Sequence, residues 1–335
     1  MKNIYCHPVN ETGIHNIVLQ NRCGNRLTAL YHEDHVELEL LYKPNAYRRK
    51  EFAARNFSSR DNKTALFGDC RLPEIKAEYI GKFDYDPFVT NVSLETPTGA
   101  KNTISIINVV DENCFAVAAA SPLTVVLKPH GEFVMEDGLI YERFYDRGEE
   151  IVSFVMFDSF LNNRFRVLDD GSCVLQIVEN DRLLLGGEEN LYQIKRLSKK
   201  LKHLSLEAII EHGEKNIEGY MRKSALSIND SDFRRVVELN RRVVYSMVDE
   251  GGVTFGAINR LYHLIWIRDS LMSTSMLALA GNPHLLERVY PFILNSPSVI
   301  RHLDGMEYRE YLQMAGTKWG KSEDDGLFYL VYGLY

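Results

Sequence analysis

Two kinds of hydrophobic pattern follow one another along this chain. Up to about Leu191 the apolar residues come in short stretches, alternating with polar residues in 35–40 and continuous in 103–110. Sequences rich in Gly, Pro and Asp, which tight turns favour, separate these stretches, as at 96–99 and 169–171. Strands of this kind bury one face against a second sheet. We therefore predict a large antiparallel β-sandwich.

A helical period replaces this pattern after the last strand-like stretch. Leucines in 195–204 recur on one helical face, residues 205–223 continue the period, and residues 224–230 resemble a loop between domains. The sequence therefore predicts a β-sandwich domain at 1–204, a helical linker at 205–228 and a helical domain at 229–335.

The predicted helices of the last part alternate between amphipathic and wholly apolar. Asp230 or Ser231 caps an amphipathic helix whose arginines 234, 235, 241 and 242 are expected in water, and Asn282 with Pro283 starts another. Residues 270–280 and 327–335 contain no charge, and a helix that is apolar on every face must be surrounded by protein. This alternation is typical of helical hairpins in which one helix lines the interior and its partner faces solvent.

Composition and charge narrow the classes of partner. The 335 residues are 45% hydrophobic and 25% charged, which is ordinary for a globular protein. With 39 basic and 46 acidic residues the net charge is −7, which argues against a nucleic-acid or anionic-membrane surface. The first eight residues lack the apolar core of a signal peptide, and no apolar run is long enough to span a bilayer. We expect a cytoplasmic protein with no nucleic-acid or membrane partner; its oligomeric state stays open.

Two groups of residues are of metal-ligand type, but neither has the spacing of a metal site. The cysteines are scattered, odd in number and without a Cys-x-x-Cys pair, which favours reduced, buried thiols: Cys6, Cys23, Cys70, Cys114 and Cys173. Residues 32–35, His-Glu-Asp-His, carry ligand types, but neighbours in a strand point to opposite faces and would not converge. We expect neither a metal nor a cofactor.

Two motifs near the end carry the candidate chemistry. The first is Tyr-x-x-x-Trp-x-Arg-Asp at 262–269, and the second is Trp-Gly-x-x-x-x-Asp-Gly at 319–326. Each precedes an uncharged apolar run. In this order they resemble the first two active-site segments of glycoside hydrolase family 15, the glucoamylase and glucodextranase type, over the last quarter of the chain. The resemblance implies an (α/α)6 barrel behind a β-sandwich, of which this chain would hold only the first helical hairpins.

The residue types suit a sugar, which presents apolar C–H faces and many hydroxyls. Arg268 offers a rigid fork of donors, and a helix N-terminus favours Asp269 as an ionised acceptor. The resemblance implies an α-linked gluco-oligosaccharide as substrate, with Arg268 and Asp269 holding its non-reducing-end glucose. The substrate-binding residues it implies are Tyr262, Trp266, Arg268, Asp269, Trp319 and, as organiser of its loop, Asp325.

The catalytic groups are expected beyond Tyr335. An inverting glycosidase needs a carboxylic acid and a carboxylate base, and in the resembled family both follow the second motif. This chain by itself would then be inactive and would expose inner helices. Without the resemblance, Asp269 with Asp325, or Glu323 as the acid, would be the candidates. Two alternatives stay open: a non-catalytic carbohydrate-binding remnant, and a relative of the disaccharide phosphorylases or trehalases.

Overall fold

The computed structural model describes residues 16–20, 26–42, 64–67, 69–136, 138–146, 149–157, 164–179, 181–222, 227–248, 267–279 and 281–294. They belong to two compact units, and the boundary falls between residues 213 and 214. The strands of the first unit are β1 Asn16–Gln20, β2 Arg26–Tyr31, β3 Val36–Tyr42, β4 Thr64–Leu66, β5 Asp69–Leu72, β6 Ile80–Asp84, β7 Val89–Glu95, β8 Lys101–Asn108, β9 Cys114–Ala119, β10 Leu123–Lys128, β11 Phe133–Glu136, β12 Leu139–Asp146, β13 Glu149–Phe157, β14 Phe165–Val167, β15 Cys173–Ile177 and β16 Arg182–Glu188.

These strands form two antiparallel sheets. One has the order β1-β2-β3-β5-β10-β15-β14, with β4 paired to β3, and the other has the order β11-β12-β13-β16-β9-β8-β7-β6. The alternating stretch predicted at 35–40 is β3, and the continuous stretch at 103–110 is β8 with its following turn. The prediction of antiparallel β-structure followed by helices agrees with this arrangement.

The main core lies between the two sheets. Apolar side chains from both contribute to it, among them Leu38 and Leu40 of β3, Phe115 and Val117 of β9, and Val155 of β13. Alternate residues of a strand face opposite sides of its sheet, so one face of each central strand supplies this core. The polar alternation of β3 follows from having one such face: Leu38 and Leu40 are buried, while Glu37 and Glu39 are partly exposed.

The second sheet is covered on its other face by helices. Helix α1, Leu191–Leu201, buries Ile194, Leu197 and Leu201 against outward-facing residues of β9, β12, β13 and β16. Strand β9 is consequently buried at all six positions. Asn190 caps α1, because its side-chain oxygen accepts a hydrogen bond from the backbone N–H of Gln193 at 3.0 Å.

The remaining helices were largely foreseen from the sequence. They are α2 Leu206–Arg222, α3 Ser231–Met247, α4 Ile267–Leu279 and α5 Leu286–Leu294, with a 3-10 turn at Pro283–Leu285 before α5. The Oδ1 atom of Asp230 accepts a hydrogen bond from the N–H of Phe233 at 2.8 Å, as expected of the predicted cap. The boundary between the two units lies within α2, and the predicted domain limits at 204 and 228 stay a prediction.

Two local predictions are wrong. Residues 32–35 form the turn between β2 and β3 rather than part of a strand, and the rings of His32 and His35 stack at 4.5 Å. Asn282 does not cap the following turn with its side chain, which is buried and bonded elsewhere. In both places the polar side chains contact partners that the local sequence pattern does not indicate.

Candidate functional site

Helix α4 carries the two predicted site residues whose backbone is described. The helix begins at Ile267, which puts Arg268 and Asp269 in its first turn. The first N–H groups of a helix have no partner within it and lie at the positive end of the helix dipole. An acidic residue there is favoured in its ionised form. The side chains of both residues lie outside the described part of the structure.

The other four predicted site residues cannot be placed in the same way. Tyr262, Trp266, Trp319 and Asp325 fall outside the described residues. That the six residues form one substrate-binding site therefore stays a prediction.

Helix α4 is buried along one side only, which differs from the prediction that protein surrounds it but agrees with the expectation that this chain by itself exposes inner helices. Leu271, Thr274 and Leu277 are at most 3% exposed, whereas Met272 and Met276 are 52% and 61% exposed. Leu279 continues the exposed stripe at 77%. The neighbours that α4 packs against are α3, α5 and the 3-10 turn, which together cover one face.

A buried polar cluster connects three of the helices in the second unit. The Nη2 atom of Arg241, in α3, donates to Oδ1 of Asn282 at 2.9 Å and to the carbonyl of Met221 at 3.3 Å. Nδ2 of Asn282 donates to the carbonyl of Tyr220 at 3.2 Å. Arg241 is 5% exposed and Asn282 is fully buried. Two side chains thus join the end of α2, the middle of α3 and the turn after α4.

Arg241 was predicted on the solvent side of α3, and this prediction is wrong because the residue is buried. Phe233, an apolar residue of the same helix, is 59% exposed. The residues of α3 that are buried lie in its second half: Arg241, Tyr245, Ser246 and Met247. The position of Arg241 one turn before Tyr245 was the available signal, since residues four apart share a helix face. Tyr245 itself stacks on Tyr220 with ring centroids 4.1 Å apart.

A groove of about 340 Å³ lies between facing sides of α2 and α3. Its apolar lining comes from Ile217, Met221, Ile228 and Val237, and three arginines and three glutamates complete it. The guanidinium of Arg242 meets the carboxylate of Glu214 through two contacts, Nη2 to Oε1 at 3.0 Å and Nη1 to Oε2 at 3.4 Å. Sequence reasoning gave no indication of this groove, because its two sides come from different helices.

The described residues hold no obvious metal centre. Among the described residues, no three or more His, Cys, Asp or Glu side chains lie close enough together to bind a metal ion. No helix of the described part combines the length and apolar character needed to cross a membrane. Cytoplasmic location stays a prediction.

Two solved structures resemble the chain over most of its length. One is a bacterial glucoamylase complexed with acarbose, with a TM-score of 0.54 and 12% identity over 91% of this chain and 52% of that one. The other is named as a kojibiose phosphorylase from the human microbiome, with a TM-score of 0.54 and 10% identity over 94% of this chain and 53% of that one. The chain shares its fold with the matched parts of these two structures.

The chain spans about half the length of each of these two enzymes. No family model matches the chain, and no curated protein matches its sequence. At such low identity the likeness extends to the fold alone. Substrate and reaction must be argued from residues.

Proposed function

We propose that this chain belongs to an exo-acting, inverting α-glucosidase of the glycoside hydrolase family 15 type, which releases glucose from α-1,4- or α-1,6-linked gluco-oligosaccharides. In this proposal the β-sandwich precedes the first hairpins of an (α/α)6 barrel. The observation that carries it is the position of Arg268 and Asp269 in the first turn of α4, within a chain of glucoamylase-like fold.

The proposed substrate site combines charged and aromatic side chains from the two motifs. Arg268 and Asp269 hold the hydroxyls of the terminal glucose, because a guanidinium supplies paired donors and an ionised carboxylate supplies acceptors. Aromatic planes cover the apolar faces of the sugar. The acid and base lie beyond residue 335, so this chain binds but does not hydrolyse. The proposed binding residues are Tyr262, Trp266, Arg268, Asp269, Trp319 and Asp325.

Calorimetric titration of the 335-residue chain with acarbose tests the binding role. We expect saturable binding that weakens by about 10-fold or more in Arg268→Lys and Asp269→Asn, since each loses a charge-assisted hydrogen bond or the geometry for it. Arg288→Lys is the matched control, because Arg288 is exposed on α5. Equal binding by all variants would contradict the site, as would an absence of binding.

A second candidate, a disaccharide phosphorylase, is favoured by the likeness to the kojibiose phosphorylase. Both candidates use the same sugar-binding residues. They differ in the nucleophile that completes the reaction. The complete gene product, incubated with maltose, isomaltose or kojibiose, distinguishes them. Glucose release without phosphate supports the hydrolase, whereas strict dependence on inorganic phosphate, with formation of a sugar phosphate, supports the phosphorylase. If the gene product binds acarbose and turns over none of them, the non-catalytic alternative is favoured.

A further inference from the structure

The groove between α2 and α3 has the properties of a ligand site. Its volume of about 340 Å³ lies at the lower end of the range of small-molecule sites. Ile217 is 1% exposed and gives the groove an apolar floor, while Val237 and Met221 are partly exposed along its sides. A small ligand with an apolar part therefore fits its shape and lining.

One cation that lines this groove, Arg241, is buried without an ion pair among the described residues. Arg241 is 5% exposed, and the described residues provide no carboxylate within ion-pair distance of it. Its hydrogen bonds go to the neutral oxygens of Asn282 and Met221, and its buried Nε has no acceptor among the described residues. Burial lowers the pKa of Arg241, although the neighbouring Tyr220 and Glu238 act to raise it. A buried, incompletely paired cation is costly, and an anion would remove that cost.

The other charges of the lining determine which anion suits the groove. Arg242 is neutralised by Glu214, so this pair adds little net charge inside. Glu238 lines the groove, is exposed and acts electrostatically on Arg241, and the lining also includes Glu218 and the exposed Arg234. Because the carboxylate of Glu238 repels a dianion more strongly than a monoanion, it favours a ligand with one negative charge. Among the described lining residues none is aromatic, which distinguishes the groove from a sugar pocket.

We propose that this groove binds a small aliphatic monocarboxylate, whose carboxylate pairs with Arg241 while its hydrocarbon part lies against Ile217 and Val237. Occupancy would pair the guanidinium of Arg241 with an anion and would cover apolar surface on two helices at once. The residues that carry this proposal, Arg241, Ile217 and Val237, differ from the proposed sugar-binding residues, so the two proposals are tested separately.

Calorimetry on the 335-residue chain, with sodium butanoate as the probe, tests the proposal. We expect saturable binding of butanoate, and binding at least about 10-fold weaker for butanamide, which has a similar size and no charge. Inorganic phosphate should bind more weakly than butanoate because Glu238 repels a second negative charge. Acarbose is titrated in parallel, so that loss of one site is distinguishable from loss of the other.

Three variants locate the binding. Arg241→Gln should weaken butanoate binding by about 10-fold or more, and Glu238→Gln should strengthen it because a repelling charge is lost. Arg235→Gln, an exposed position on α3 outside the lining, changes the net charge as Arg241→Gln does and should have no effect. If Arg241→Gln fails to fold, the proposal is tested by butanoate binding to Glu238→Gln and by butanamide binding to the native chain. The proposal is overturned if butanoate does not bind, if butanamide or phosphate binds equally well, or if Glu238→Gln leaves binding unchanged.

Discussion

Glu188, at the end of β16, is a carboxyl that folding places in an unfavourable environment. It is 7% exposed, and Nδ2 of Asn113 donates to its Oε1 at 2.8 Å. Burial raises its pKa to about 6, although the Asn113 hydrogen bond acts in the opposite direction. A group whose pKa is raised by folding stabilises the folded state most below its unfolded pKa, and this contribution is lost as the pH rises through the folded pKa. At neutral pH the ionised carboxylate therefore destabilises the fold by about 2 kcal/mol.

Replacing Glu188 with Gln should remove this pH dependence. Relative to the native chain, Glu188→Gln should gain about 1–2 kcal/mol of unfolding free energy at pH 7.5, and the gain should shrink towards about pH 4.5 as the native carboxyl becomes protonated. Urea unfolding at the two pH values measures the difference. Glu132→Gln, at an exposed loop position, should show no such change. A gain of equal size at both pH values would contradict the burial argument.

Gly186, two residues before Glu188, occupies a place where no side chain fits. A Cβ there would lie 2.1 Å from the carbonyl oxygen of Asn113 and 2.8 Å from Cζ of Phe154. The first of these contacts is with backbone, which cannot turn aside. We expect Gly186→Ala to lower the unfolding free energy by about 3 kcal/mol, by overpacking.

Gly131 provides the matched control for this prediction. A Cβ at Gly131 would meet nothing within 4 Å. Gly131→Ala should therefore lie within about 0.5 kcal/mol of the native chain in the same urea titration, as surface substitutions usually do. Equal losses at the two glycines would show that the close approach at Gly186 is not the cause.

At the scale of secondary-structure elements, local signals predicted most of the helices. Asp230 indicated the start of α3, and the helical period at 205–223 matches α2, Leu206–Arg222. Caps and periodicity are local properties, so sequence contains them directly. The complete burial of β9 was not predictable in this way, because it depends on α1, which arrives from more than 70 residues further along the chain.

The candidate site was less predictable for the same physical reason. The sequence placed Arg268 and Asp269 at a helix start, and the helix does begin at Ile267. Burial of Arg241 depends on Asn282, which is 41 residues away in sequence. A charged residue on a helix suggests solvent unless such a distant partner is known. For the same reason the groove beside Arg241 is a property of the fold and not of either helix.

The cap of α1 gives a prediction at this scale. Asn190→Ala removes the side-chain acceptor for the N–H of Gln193 and should lower the unfolding free energy by about 1 kcal/mol. Asn190→Asp keeps an acceptor oxygen and should retain most of the stability. Thermal and urea unfolding measure both variants. Equal loss in the two variants would mean that Asn190 stabilises the fold by some means other than capping.

At the scale of the whole molecule, solubility depends on charge and on exposed apolar surface. The net charge of −7 at pH 7 provides repulsion between copies of the chain, and it vanishes near the sequence pI of about 5.9. Met272, Met276 and Leu279 are spaced by four and three residues, so they form one stripe on α4, and all three are more than half exposed. A continuous apolar stripe of this kind promotes association.

We therefore expect the chain to self-associate most strongly near pH 5.9, through this stripe. Replacing Met272, Met276 and Leu279 together with Gln should reduce association, because the stripe becomes polar while the buried face, with Leu271 and Leu277, is unchanged. Light scattering at pH 5.9 and pH 7.5 measures the effect.

A matched control replaces three exposed apolar residues of the first unit in the same way: Val134, Val167 and Leu168. This control triple should leave association nearly as in the native chain. If the control triple reduces scattering as much as the α4 triple, total exposed apolar area and not the α4 stripe governs association. Because both triples keep the net charge, the comparison separates apolar contact from electrostatic repulsion, which the change of pH tests by itself.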